Sequence, residues 1–120
     1  MIKTSKENRE IVAKLSRKLG LGSENHISRI AFSYSINSDK KLNVSKIKNS
    51  SGKEYSKSVF FGNNFDLYVG MVCMKYGIHS SDNDILKYIK MHVDDGLESI
   101  NDLIEEQGIQ NGFDLIKLIT

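Results

Sequence analysis

The chain has 120 residues, 39% apolar and 27% charged, with one cysteine and neither proline nor tryptophan. This length gives one domain with a real core and little room for a deep monomeric cleft. Cys73 alone excludes an internal disulfide and fits a reducing cytoplasm, and neither a bilayer-crossing run nor a signal peptide is predicted. The net charge of +2 conceals a split. Residues 1–60 hold thirteen Lys and Arg against five Asp and Glu, a net of +8, and residues 61–120 hold four against ten, a net of −6. Such asymmetry predicts a face that meets a polyanion, most often nucleic acid, with the acidic part turned elsewhere. Two solvated surfaces of unlike sign are the plain alternative.

A first helix is predicted from Ser5, whose hydroxyl suits an N-cap, with Glu7 favourable in the first turn. Ile11, Val12, Leu15 and Leu19 recur at helical spacing, and Gly20 and Gly22 supply the stop. Ser23 caps a second helix with the stripe Ile27, Ile30, Ala31 and Tyr34, so the two form a helix hairpin. Residues 37–62 read differently. Leu42-Asn43-Val44 alternates, Asn49-Ser50-Ser51-Gly52 is a turn cluster, and Tyr55 and Val59-Phe60-Phe61 are β-formers. Together they predict a small β-hairpin, with a mobile Ser/Lys/Asn-rich loop over 35–58 as the alternative.

Asn63 or Asn64 caps the third helix. Phe65, Tyr68, Val69, Val72, Cys73 and Tyr76 make one stripe, and Leu67, Met71 and Met74 occupy another face. Only Asp66 and Lys75 are charged, so this helix is expected to be a central core helix or a subunit interface. Gly77 closes it. Ser81 or Asp82 opens a fourth helix carrying Ile85, Ile89, His92, Val93, Leu97 and Ile100. Gly96 permits close packing or marks a break, and Ser99-Ile100-Asn101-Asp102 reads as the cap of a short helix ending at Gly108. After the Asn111-Gly112 turn, Leu115, Ile116 and Ile119 predict a last short helix. The fold class is mainly α. A compact single helical domain over residues 1–120 has about five helices, a short N-terminal extended segment, a candidate hairpin between helices 2 and 3, and a C-terminal extension over 101–120.

The first helix carries the best functional signal. Lys6, Lys14 and Arg17 fall opposite its apolar arc, Arg9 and Lys18 flank them, and Lys3 lies just before it. This is a phosphate-contacting face whose acidic partners are too few to neutralise it. The plain reading is a solvated surface with a Glu10–Lys14 i,i+4 pair worth ~0.2–0.5 kcal/mol. Lys40, Lys41, Lys46, Lys48, Lys53 and Lys57 form a second basic group. Few aromatics accompany it, which suits contact with a duplex backbone better than stacking on single-stranded bases.

Signals for catalysis and metal binding are weak. Cys73 lies on an apolar stripe without a neighbouring His or Arg and reads as packing. His26, His79 and His92 lack metal-ligand spacing, and His92 is expected to be a hydrogen-bonded interior residue. Asp82 and Asp84 read as a helix start, Asp94 and Asp95 as a polar helix face. No phosphate-binding loop, dinucleotide fingerprint or nucleophile elbow occurs, so no enzyme, cofactor or metal is predicted.

Several segments stand in the order and spacing of a known family over about residues 1–100. They are Ile2-Lys3-Thr4-Ser5-Lys6-Glu7-Asn8, Lys14-Leu15-Ser16-Arg17-Lys18-Leu19-Gly20-Leu21, Arg29-Ile30-Ala31, Phe61-Gly62 with Leu67-Tyr68, and His92 with Gly96. The chain resembles the DndE family of bacterial DNA sulfur modification (phosphorothioation) systems. It departs from the family in lacking Trp and a Pro-containing loop after helix 2, and its last twenty residues match nothing specific. The resemblance implies a non-catalytic, tetrameric subunit that binds duplex DNA, including nicked duplex. Its complex would replace a non-bridging phosphate oxygen with sulfur. That chemistry would belong to partners: a cysteine desulfurase, an iron–sulfur protein and an ATPase-like subunit. Two other readings stand beside it. One is a ribbon-helix-helix-like repressor, for whose intersubunit ribbon residues 1–4 are short. The other is a protein–protein adaptor without DNA contact.

Overall fold

The computed structural model of the chain describes residues 2–109 together with 111, 114, 115 and 117. In chain order it contains β1 (Ile2–Lys3), α1 (Lys6–Lys18), α2 (Glu24–Ile36), a 3₁₀ turn at Val44–Lys46, β2 (Glu54–Tyr55), α3 (Lys57–Phe61), α4 (Phe65–Tyr76) and α5 (Ile85–Gln107). No helix among the described residues is long and apolar enough to cross a membrane.

The organising element is α5. Ile85, Ile89, Val93, Leu97, Ile100 and Ile104 are all buried along it, and α1, α2, α4 and β1 pack on it. The sequence predicts two helices in this stretch; the structure has one of 23 residues. Gly96 is a contact point and not a break. A Cβ there would stand 1.9 Å from the carbonyl oxygen of Ala31, so α2 and α5 touch backbone to backbone. Ser99 does not cap a new helix; its hydroxyl accepts from Lys40 Nζ at 3.4 Å. The expectation of α4 as the central core helix is overturned in turn. Val72 is its one buried residue, and Leu67 and Met74 are 57% and 87% exposed.

Residues 37–62 form no hairpin of their own. Glu54–Tyr55 pairs antiparallel with the N-terminus, Ile2 opposite Tyr55 and Lys3 opposite Glu54. Gly52 allows this closure: its N–H donates to Thr4 O at 3.0 Å, and a Cβ on it would lie 2.0 Å from Ser5 O. Val59-Phe60-Phe61, β-formers by propensity, belong to α3. Ser56 Oγ caps that turn by accepting from Val59 N–H at 3.3 Å. The helix then aims Phe60 and Phe61 at Tyr68, with ring centroids 5.5 and 5.1 Å apart. Burial of the rings outweighs the local propensity.

The first two helices follow their sequence signals closely. Ser5 Oγ accepts from Asn8 N–H at 3.3 Å, and Val12, Leu15 and Leu19 are buried. Ser23 stands at the α2 N-cap without a side-chain capping bond. Gly77 and Gly108 end α4 and α5 in the left-handed conformation, which glycine adopts without strain. Of the expected last helix, Asp114, Leu115 and Lys117 are helical, and Leu115 is buried; Ile116 and Ile119 lie outside the described residues.

Candidate nucleic-acid interface

Folding pairs the two charged halves instead of separating them. Lys14 reaches Glu105 at 2.9 Å, Lys40 reaches Asp95 at 3.1 Å, and Lys48 pairs with Glu98. All three carboxylates lie on α5, which acts as a counter-ion spine for the basic half. The expectation that the acidic part turns elsewhere therefore fails along this helix.

The six candidate DNA-binding residues divide accordingly. Lys6, Arg9, Arg17 and Lys18 are exposed on α1 and take part in no salt bridge among the described residues. Lys3 is half-buried in β1. Lys14 is engaged: its ammonium donates to Asn101 Oδ1 and Glu105 Oε1, both at 2.9 Å. That bond and the Lys14 charge hold the Glu105 carboxyl below its ordinary range, with Lys18 adding to the effect. The partner of Lys14 is thus on α5 and not the i,i+4 neighbour Glu10.

The second basic group is similarly thinned. Lys40 and Lys48 are paired with α5, Lys53 with Glu24 at 3.1 Å, and the Lys57 ammonium lies 3.9 Å from the Phe65 ring centroid. Lys41 and Lys46 stay exposed and in no salt bridge among the described residues. They line a cleft of about 380 Å³ between the 41–48 segment and α5, together with Lys48, Asp94, Asp95 and Glu98. Each of those carboxylates already has its own lysine: Lys90, Lys40 and Lys48 respectively. A carboxylate so engaged makes a poor general base or metal ligand.

Two buried polar clusters tie the elements together, and the first of them fixes the start of the cationic helix. Asp94 does not lie on a polar face, as its position in the sequence suggests; it is 3% exposed and forms an ion pair with Lys90. Its Oδ1 accepts from Ser5 N–H at 3.0 Å and from Asn8 Nδ2 at 2.8 Å. A carboxylate at the start of α1 also complements the helix dipole. The Lys90–Asp94 i,i+4 spacing was the one available signal for this site. The second cluster is centred on His92, buried and hydrogen-bonded as expected. Ser35 Oγ donates to Asp95 Oδ2 at 2.7 Å and so accepts from His92 Nδ1–H at 2.8 Å. His92 Nε2 then accepts from Tyr76 Oη–H at 2.7 Å, and Tyr76 Oη accepts from Leu42 N–H at 2.9 Å. One chain of bonds thus joins α2, α4, α5 and the segment after α2.

Arginine and lysine also close helix ends inside the fold. Arg29 donates from Nε to Phe60 O at 2.7 Å and from Nη2 to Val59 O at 2.6 Å. Lys75 Nζ donates to Ile36 O and Ser38 O at the end of α2. Both side chains are half-buried and engaged with carbonyl oxygens.

The model of the family described as "DNA sulphur modification protein DndE" matches residues 1–107. The chain belongs to the DndE family. A DndE-family fold is also what the solved structures give. The crystal structure of DndE from Escherichia coli B7A, described as involved in DNA phosphorothioation modification, is similar to this chain with a TM-score of 0.65 and 21% identity. The likeness covers 82% of this chain and 94% of that one. No curated protein matches the chain.

Proposed function

We propose that this DndE-family chain is a non-catalytic subunit of a bacterial DNA phosphorothioation complex, binding duplex or nicked duplex DNA in the cytoplasm through its basic face. The observation that carries the reading is α1. Lys6, Arg9, Arg17 and Lys18 stand exposed without carboxylate partners among the described residues, in a chain whose other basic side chains are largely engaged. Unneutralised Lys and Arg on one element supply affinity for a phosphate backbone independently of sequence. Lys3 and Lys14 belong at the margin of the face, Lys14 after release from Glu105.

Several features support a binding role over a catalytic one. The carboxylates of the cleft between the 41–48 segment and α5 are held in ion pairs, and Ser35 and His92 are buried within the fold. Sulfur transfer then falls to partner proteins of the modification system. The ribbon-helix-helix alternative loses its ribbon, because Ile2–Lys3 pairs with Glu54–Tyr55 of its own chain and Ile2 is 1% exposed. Exposure of Leu67 and Met74 on α4 favours a homo-oligomer, and the family resemblance favours a tetramer.

A titration of unrelated duplexes at several salt concentrations tests the proposal. DNA binding through phosphates predicts similar affinity for all sequences and a linear fall of log affinity with log salt. Absence of binding at low salt, with binding to a modification partner retained, would instead establish the adaptor.

A further inference from the structure

We propose that α4 forms the seam of a two-fold contact between copies of this chain, in which Met71 of one copy fills the space over Gly70 of the other. This rests on the homo-oligomer reading above and specifies its surface and register. The exposed large apolar side chains among the described residues are Val59, Leu67, Met74 and Leu86. All fall within residues 59–86. Two are on α4, Val59 is on α3 immediately before it, and Leu86 is in the first turn of α5, where nearby Tyr88 stacks on Tyr76 of α4 at 4.1 Å.

Leu67, Gly70, Met71 and Met74 follow at i, i+3, i+4 and i+7 and so share one helix face. No charged residue interrupts it. Gly70 is the odd member. Its φ is not positive, so no turn requires a glycine. A Cβ there would meet nothing within 4 Å, so no contact inside the fold requires one either. A glycine inside a helix lowers helix stability, and close approach from outside is the remaining reason for a bare backbone at this point.

The spacing also selects the occupant. Positions 67, 70, 71 and 74 read the same in both directions about the midpoint between Gly70 and Met71. An antiparallel copy therefore sets Leu67 against the partner's Met74 and Met71 against the partner's Gly70, and the two-fold repeats both contacts. A parallel copy would set glycine against glycine and leave the space empty. Antiparallel pairing also brings opposite ends of the helix dipoles together. An uncharged seam offers nothing to phosphates, which keeps DNA on α1. The chain exposes 6812 Å², and a stable pair takes about 800 Å² from each partner, roughly a tenth of a small protein's surface. The face of α4, ~18 Å long, supplies the apolar centre, and exposed Asn63, Asn64 and Asp66 begin a polar rim.

Two measurements test the register. In a Cys73→Ser background, chains carrying Leu67→Cys are co-expressed with chains carrying Met74→Cys and mildly oxidised. The pair should cross-link, and each variant alone should not, since identical positions are offset by ~10 Å along the seam, beyond disulfide reach. Separately, Gly70→Leu and Met74→Lys should weaken association roughly tenfold or more by sedimentation, with the helical circular dichroism unchanged. Cross-linking of Leu67→Cys with itself would overturn the register. A wild-type assembly whose mass neither variant alters would overturn the seam and leave the homo-oligomer reading standing. A wild-type monomer at micromolar concentration would overturn both.

Discussion

Asp94 on α5 accepts the backbone N–H of Ser5 at 3.0 Å, across 89 positions of the chain. One carboxylate thereby ties the start of the cationic helix to the central helix, while its other oxygen pairs with Lys90. Both partners of the ion pair are at least nine-tenths buried. Asp94→Asn keeps the shape and an acceptor for Ser5 but leaves the Lys90 ammonium without a counter-charge. Breaking a buried pair in this way costs ~3–5 kcal/mol. Urea unfolding of the two proteins measures the loss, and a difference below ~1 kcal/mol would show that solvent, and not Asp94, neutralises Lys90.

Gly96 gives a second test of the same framework. In an open helix Gly→Ala stabilises by about 1 kcal/mol. Here the new Cβ would lie 1.9 Å from Ala31 O and 2.5 Å from its carbonyl carbon. These are backbone atoms, so α2 must shift. The expected net effect of Gly96→Ala is a loss of ~2–4 kcal/mol, seen as a lower urea midpoint with little change in slope. An increase in stability would mean that α2 and α5 can separate cheaply.

Local signals in the sequence account for the parts of the fold that were legible. The Ser5 cap, the Val12–Leu15–Leu19 stripe and the terminal glycines of α4 and α5 act within a turn or two of themselves. What was missed is long-range. The partner of β2 is Ile2–Lys3, and the partner of Lys14 is Glu105, 91 positions away. Asp94 falls half a turn from Ile85 by helical spacing, so it reads as polar surface. Yet α5 is packed on more than one side, and the usual polar flank is buried with it. At α4 the apolar residues read as core, although much of that face is exposed. For the candidate interface, α1's cations were visible in the sequence, but which of them folding would neutralise was not.

The His92 chain of hydrogen bonds predicts a pH dependence. Burial pushes the imidazole down to about 4, helped by the Lys75 and Lys40 charges and opposed by Asp95. An unfolded histidine titrates near 6.5. Between these values the unfolded chain takes up a proton that the native chain refuses. The contribution is therefore fully present above about pH 6.5 and is lost as pH falls towards 4. It amounts to roughly 2 kcal/mol once solvent screening is allowed for. Urea midpoints at pH 7 and pH 5 should differ more for the wild type than for His92→Gln. Equal pH responses would place the proton-sensitive step elsewhere.

The cations of α1 should not contribute equally to DNA binding. Arg17 and Lys18 are exposed in the last turn with no salt bridge among the described residues, whereas Lys14 is held 2.9 Å from Glu105. To touch a phosphate, Lys14 must leave a pair worth ~0–1 kcal/mol. Removing one cation that neutralises a duplex phosphate lowers the log–log salt slope by about 0.9. Arg9→Gln, Arg17→Gln and Lys18→Gln should each approach that change and weaken all duplexes alike. Lys14→Gln should change the slope less, while unmasking the Glu105 charge beside the face. Folding stability should move by only ~0.5 kcal/mol or less for the exposed three. Salt titrations of the four variants against one duplex decide the matter. A Lys14→Gln slope change as large as that of Arg17→Gln would return Lys14 to the centre of the interface. No change in any of the four would move the interface to Lys41 and Lys46.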